Sequence, residues 1–165
     1  MQESQSTPQS TSHAWPVQIA EKILAALDWI PQSVISLAAR IFPAVVFWMS
    51  GETKVDGWHL KDSAITLFQE EYKLPFIDPT IAANLAAFAE HFFPFLLVIG
   101  LASRLSALAL LGMTAVIEIF VYPDSWPLHG VWATCFLVVI ARGPGVLSLD
   151  HLIARYFGVK SGTRG

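Results

Sequence analysis

The chain has 165 residues, 54% of them apolar and only 14% charged, which points to a membrane protein of about one domain. A net charge of −3 with no basic stripe leaves no electrostatic footprint for nucleic acid. The single cysteine, Cys135, excludes an internal disulfide framework and a cysteine-rich metal cage; metal-ligand spacings, phosphate loops and dinucleotide fingerprints are also missing from the sequence.

Residues 1–14 are rich in Ser, Thr and Gln and read as a disordered polar tail. They lack the basic-then-apolar order of a cleavable signal peptide. Over residues 15–31, Val17, Ala20, Ile23, Leu24, Leu27 and Ile30 recur at helical spacing opposite Gln18, Glu21, Lys22 and Asp28. That pattern predicts an amphipathic helix, either lying in the membrane interface or packed on the protein's own helices.

A membrane domain over 32–147 follows, with spans expected at about 34–50, 81–101, 105–121 and 128–141. In the first span Ser36, Arg40, Pro43, Ala44, Phe47, Ser50, Gly51 and Lys54 form one stripe, which marks the inward face. Residues 52–79 are the only long connection. In it Ile65, Phe68 and Tyr72 share one side of a short helix from Asp62 to Tyr72, expected to cap the bundle at the outer membrane surface. The second span carries Glu90 near its middle, on a face shared with Ala83, Ala86, Ala87, Pro94 and Leu97. A carboxylate at the bilayer centre costs roughly 2.5–3.5 kcal/mol, so Glu90 must face protein or water. The third span has Glu118 near its outer end, and an aromatic turn holding His129 leads to the fourth. That last apolar run is short and must either begin earlier than it looks or sit where the bilayer thins. Ser148 then caps a final amphipathic helix within 148–165.

These elements predict an all-α membrane protein, a bundle of four transmembrane helices with interfacial amphipathic helices at both termini. Lys22, Arg104, Arg142, Arg155, Lys160 and Arg164 fall on the side of the termini, and Lys54, Lys61 and Lys73 on the other. The positive-inside rule therefore puts both termini in the cytoplasm.

At ~1.5 Å per residue, Glu90 lies roughly 13 Å from the outer edge of its span and Arg40 about 9 Å from the inner edge of its own. A guanidinium can bridge that interval, so Arg40 and Glu90 are a candidate structural ion pair. Glu118, Lys54 and His129 fall at a similar outer level, where a histidine and a carboxylate can pass protons. Lys54, Glu90, Glu118 and His129 form the candidate polar pocket, with no residue given a catalytic role and none a metal. His91 and His129 differ in depth by half a bilayer, which argues against a haem pair. Cys135 reads as a small core residue.

Several segments together resemble the DoxX family of small four-helix membrane proteins. They are SGETK (Ser50 to Lys54), the acid Glu90, GLASRLSALAL (Gly100 to Leu110), EIFVYPDSWPLHGVW (Glu118 to Trp132) and GPGVLSLDHLI (Gly143 to Ile153). Their order and spacing carry the likeness, which covers about Arg40 to Ile153. Some members of that wider family are subunits of a thiosulfate:quinone oxidoreductase. Others accompany soluble enzymes in membrane complexes that handle oxidative or thiol stress. The resemblance implies a subunit or accessory of a quinone-linked or oxidative-stress redox system in a bacterial inner membrane. Its ligand would be a quinone and its partners the lipid bilayer and a redox enzyme subunit, an arrangement compatible with a homo-oligomer. With one cysteine and no cofactor motif, the chain does not read as a self-sufficient oxidoreductase. A non-catalytic membrane scaffold is the alternative, and a small-solute carrier a third, disfavoured because no inverted repeat is visible.

Overall fold

The computed structural model describes residues 15–158; the tail of residues 1–14, with Lys160 and Arg164, lies outside the described residues. The chain divides into two compact units, residues 1–31 and 32–165. The first unit contains helix α1 (Trp15–Leu27), with Pro16 in its first turn, where the missing N–H has no helical carbonyl to lose.

The second unit is the membrane domain. Helix α2 (Gln32–Lys54) leads into a small antiparallel hairpin, β1 (Val55–Asp56) and β2 (His59–Leu60), then into α3 (Asp62–Leu67). Helices α4 (Pro79–Ile99), α5 (Ser103–Phe120), α6 (Trp126–Arg142) and α7 (Leu149–Tyr156) complete it. Among the described residues, four helical segments are long and apolar enough to cross a membrane, so the fold is an all-α, multi-pass membrane protein. The fourth of these, Pro123–Arg142, begins with a tight turn at Pro123–Ser125, well before its apolar run, and so reaches 20 residues. The first runs on to Lys54, past the expected end near Ser50.

Each of the four spans touches two others, in the ring α2–α4–α5–α6. Ala39, Ala44, Phe47, Leu97, Ala107, Leu110, Phe136 and Val139 fill its centre, while Phe42, Met49, Leu105 and Ile119 point outward. Small residues let the backbones close up: a methyl group on Gly51 of α2 would sit 2.6 Å from the His91 ring of α4.

Two devices close the ends. At the end that carries the connection after α2, the last turn of the cap helix widens into a π-turn, Phe68–Tyr72, stopped by Lys73 at φ 43°. Phe68 and Tyr72 stack 4.2 Å apart and bury against Ala82 and Ala83 of α4, with Ile117 of α5 and Val121 just after it packed alongside. At the opposite end α4 stops at Gly100 (φ 72°), and α5 has no side-chain cap of its own. Asp150 of α7 supplies one: its carboxylate accepts from the backbone N–H of Ala102 (2.8 Å) and Ser103 (2.9 Å).

Candidate functional site

Glu90 is 1% exposed, one helical face away from lipid, and its partner is Lys54. The Lys54 ammonium donates to Oε1 of Glu90 at 3.0 Å, and the Ser50 hydroxyl donates to the same oxygen at 3.1 Å. Lys54 Nζ also lies 2.7 Å from Oε2, but off hydrogen-bonding angles, so that buried oxygen is held by charge alone. Further donation from Nζ to the Ser50 hydroxyl (3.1 Å) and Ser50 carbonyl (3.3 Å) completes the ammonium's shell.

The expected Arg40–Glu90 pair does not form. Helices α2 and α4 run antiparallel with Ser50 facing Glu90 and Arg40 facing Gly100. Ten residues of helix, about 15 Å, therefore separate Arg40 from the acid. Arg40 is fully buried at the α7 end of the bundle instead, donating from Nη2 to the Leu147 carbonyl at 2.7 Å. The expected outer cluster is likewise divided. Lys54 reaches inward to Glu90, while Glu118 bonds Nδ1 of His129 across the α5–α6 seam.

His129 is 5% exposed, packs its ring 5.0 Å from Trp132, and among the described residues makes no hydrogen bond to protein through Nε2. It nonetheless meets Glu90 across space. A cavity of about 240 Å³ between α2, α6 and the cap is lined by Ser50, Tyr72, Glu90, Tyr122, His129 and Trp132. A second, apolar cavity of about 340 Å³ lies between α4 and α5, and Tyr72, Glu90 and Ile117 border both. The structure thus converts four scattered ionisable residues into two acid–base pairs, one from each side of the bundle. Among the described residues, no three His, Cys, Asp or Glu side chains converge as a metal site.

Ser50 and Tyr72 are the site residues that the choice of charged candidates passed over. Both were visible as positions: Ser50 stands on the inward stripe of α2, and Tyr72 on the apolar side of the cap helix. Nothing in the sequence signals that a π-turn would carry Tyr72 down to Glu90.

Residues 35–123, more than half of the chain, match the family DoxX. The chain belongs to the DoxX family. An uncharacterized protein of Haemophilus influenzae is 32% identical over 147 residues, covering 82% of this chain and 93% of that protein. No solved structure matches. The DoxX-like segments turn out to meet each other in space. SGETK supplies Ser50 and Lys54 to Glu90, and the GLASR turn is capped by Asp150 of the GPGVLSLDHLI segment. The DoxX match ends before His129, so the Glu118–His129 pair straddles its border.

Tyr72 is buried and its hydroxyl makes no hydrogen bond to protein among the described residues. Burial first, and then the Glu90 carboxylate, push its ionisation well above the usual tyrosine range. A raised acid pKa leaves stability unchanged below ~10, where the phenol is neutral in both states. Above it the unfolded chain releases the proton and the folded one retains it, so stability falls by up to about 1.4 kcal/mol per pH unit. Tyr72→Phe is therefore expected to flatten the alkaline loss in a thermal-melt pH series. Near neutral pH it should leave stability unchanged to within ~1 kcal/mol, since the hydroxyl has no hydrogen bond to protein to lose among the described residues. A clear loss of stability at neutral pH would show that the hydroxyl is bonded after all.

Proposed function

We propose that this DoxX protein is the membrane subunit of a quinone-linked redox system, and that it holds the ligand's polar head in the cavity between Glu90 and His129. The observation that carries this reading is the convergence of Lys54–Glu90 and Glu118–His129 on one 240 Å³ cavity whose Tyr72 hydroxyl has no protein partner. A quinone head offers carbonyl oxygens to donors such as Tyr72, and a quinol offers hydroxyls to acceptors such as Glu90 and His129. When bound, such a head supplies the two-electron chemistry; the electrons come from a partner redox subunit.

This chain's residues bind, orient and handle protons. Lys54 and Ser50 hold the Glu90 carboxyl in place at the cavity wall through Oε1. Glu118 fixes the His129 ring so that Nε2 is left for the cavity. The distribution of Lys and Arg supports an orientation with the α7 end in the cytoplasm, in a bacterial inner membrane. The apolar side of α7, with Leu152, Tyr156 and Phe157 exposed, suits docking on lipid or on that partner subunit.

In lipid nanodiscs the purified protein is expected to bind a short-chain benzoquinone. His129→Ala should weaken that binding about tenfold or more, the usual effect of removing a hydrogen-bonding group from a buried site. Absence of quinone binding to the wild type, with membrane quinone reduction unchanged on gene deletion, would sink the proposal. A subunit that still co-purifies with its partner after Glu118→Gln and His129→Ala together, with full membrane redox turnover, would leave only a scaffold.

A further inference from the structure

We infer that the gap between α4 and α5 is a lateral portal, through which a membrane-dissolved lipophile brings its polar head to Glu90. This names the physical class of ligand and its route, and it rests on the reading of the Glu90–His129 cavity as a ligand site. The gap is the 340 Å³ apolar cavity, walled by Leu85, Ala86 and Ala89 of α4 and Gly112, Met113 and Val116 of α5. Leu85 is 56% and Val116 36% exposed; on a membrane-spanning helix such exposed apolar residues face the hydrocarbon. The gap therefore begins at lipid. It ends at Glu90 and Tyr72, the two polar residues it shares with the inner cavity.

Two features of that end separate a headed ligand from a plain acyl chain. Oε2 of Glu90 receives no hydrogen bond, and the Tyr72 hydroxyl has no protein partner. A hydrocarbon chain satisfies neither group, whereas a carbonyl head accepts from the Tyr72 hydroxyl and a hydroxyl head can also donate to Oε2. Gly112 borders open space: a methyl group placed on it would touch no atom within 4 Å. Ligand cavities commonly run from about 300 to 1,000 Å³ and are mostly apolar with a few fixed polar groups, which describes this one.

The openness of Gly112 also makes the test clean, because a side chain there fills space without striking the backbone. The probes are a benzoquinone carrying a decyl tail and the same head without it, titrated against the full chain in nanodiscs. Gly112→Leu, and as a second variant Val116→Trp at the lipid-facing rim, are expected to weaken the tailed probe about tenfold, the burial lost with two methylenes. Both should leave the tail-less probe unchanged. Gly130→Leu, at an equally open glycine of α6, controls for added bulk and should leave both probes unchanged. If the wild type binds both probes and neither portal variant discriminates between them, the portal is wrong and the ligand site stands. If the portal variants lose both heads equally while Gly130→Leu keeps them, the gap belongs to the head site and the portal is again wrong. If the wild type binds neither probe, the ligand site itself falls and the portal with it.

Discussion

Lys54→Met is expected to destabilise the bundle by about 3–5 kcal/mol, the range for stripping one partner from a buried ion pair. The size of the loss follows from where Glu90 sits. Its carboxylate is 1% exposed on a membrane-spanning helix, so water cannot replace the departed ammonium. The Ser50 hydroxyl alone would remain, reaching only Oε1. The damage is therefore to the acid, and removing the acid's charge should repair it. Lys54→Met combined with Glu90→Gln is expected to recover most of the lost stability, since a neutral pair of similar volume is often close to neutral overall. Glu90→Gln alone should cost nearly as much as Lys54→Met, because it strands a buried ammonium instead. Denaturation of the wild type and the three variants in detergent micelles gives the coupling energy directly. A double variant no more stable than Lys54→Met would mean that the packing of the lysine stem, and not its charge, carries the effect.

The pairing also explains which parts of the site the sequence made legible. Inward faces were readable because polar residues repeat at helical spacing: of the predicted α2 stripe, Ser36, Arg40, Pro43, Ala44, Phe47, Gly51 and Lys54 are all buried. The four-span fold followed from length and apolarity, with its family supported by short segments that meet in space. Partner choice was not readable, because it depends on helix register. Taking α2 to end near Ser50 left Lys54 in the outer layer and brought Arg40 within apparent reach of Glu90. The four further residues of helix that the structure adds carry Lys54 on the same face as Ser50, one turn away, and its long stem reaches Glu90. The Glu118–His129 pair was easier. Only Val121, Tyr122 and the tight turn Pro123–Ser125 separate α5 from α6, so residues near that bend cannot be far apart. Tyr72 shows the opposite limit: its reach depends on a π-turn that no local pattern announces.

At the far end of the bundle, Gly100→Ala is expected to cost about 2–4 kcal/mol, although it adds a single methyl group. Two effects combine. Gly100 sits at φ 72°, a left-handed conformation that costs an L-residue roughly 1–2 kcal/mol. The new methyl would also stand 2.1 Å from Nη1 of Arg40 and 2.8 Å from the Ser148 backbone. Neither neighbour can move cheaply. Arg40 is fully buried and tied through Nη2 to Leu147, while Ser148 caps α7 through the His151 N–H. Overpacking of that kind adds roughly 1–3 kcal/mol. The strain falls on the segment that delivers Asp150 to the start of α5, so the α4–α5 turn should loosen with it. Limited proteolysis is expected to cut the chain between Gly143 and Asp150 faster in this variant than in the wild type. Gly112→Ala, which adds the same methyl where no atom lies within 4 Å, should melt with the wild type. The contrast isolates the lock at the α7 end. Equal melting of the two alanine variants would mean that Arg40 and the segment after α6 give way freely, and that this end is held by α4–α5 packing alone.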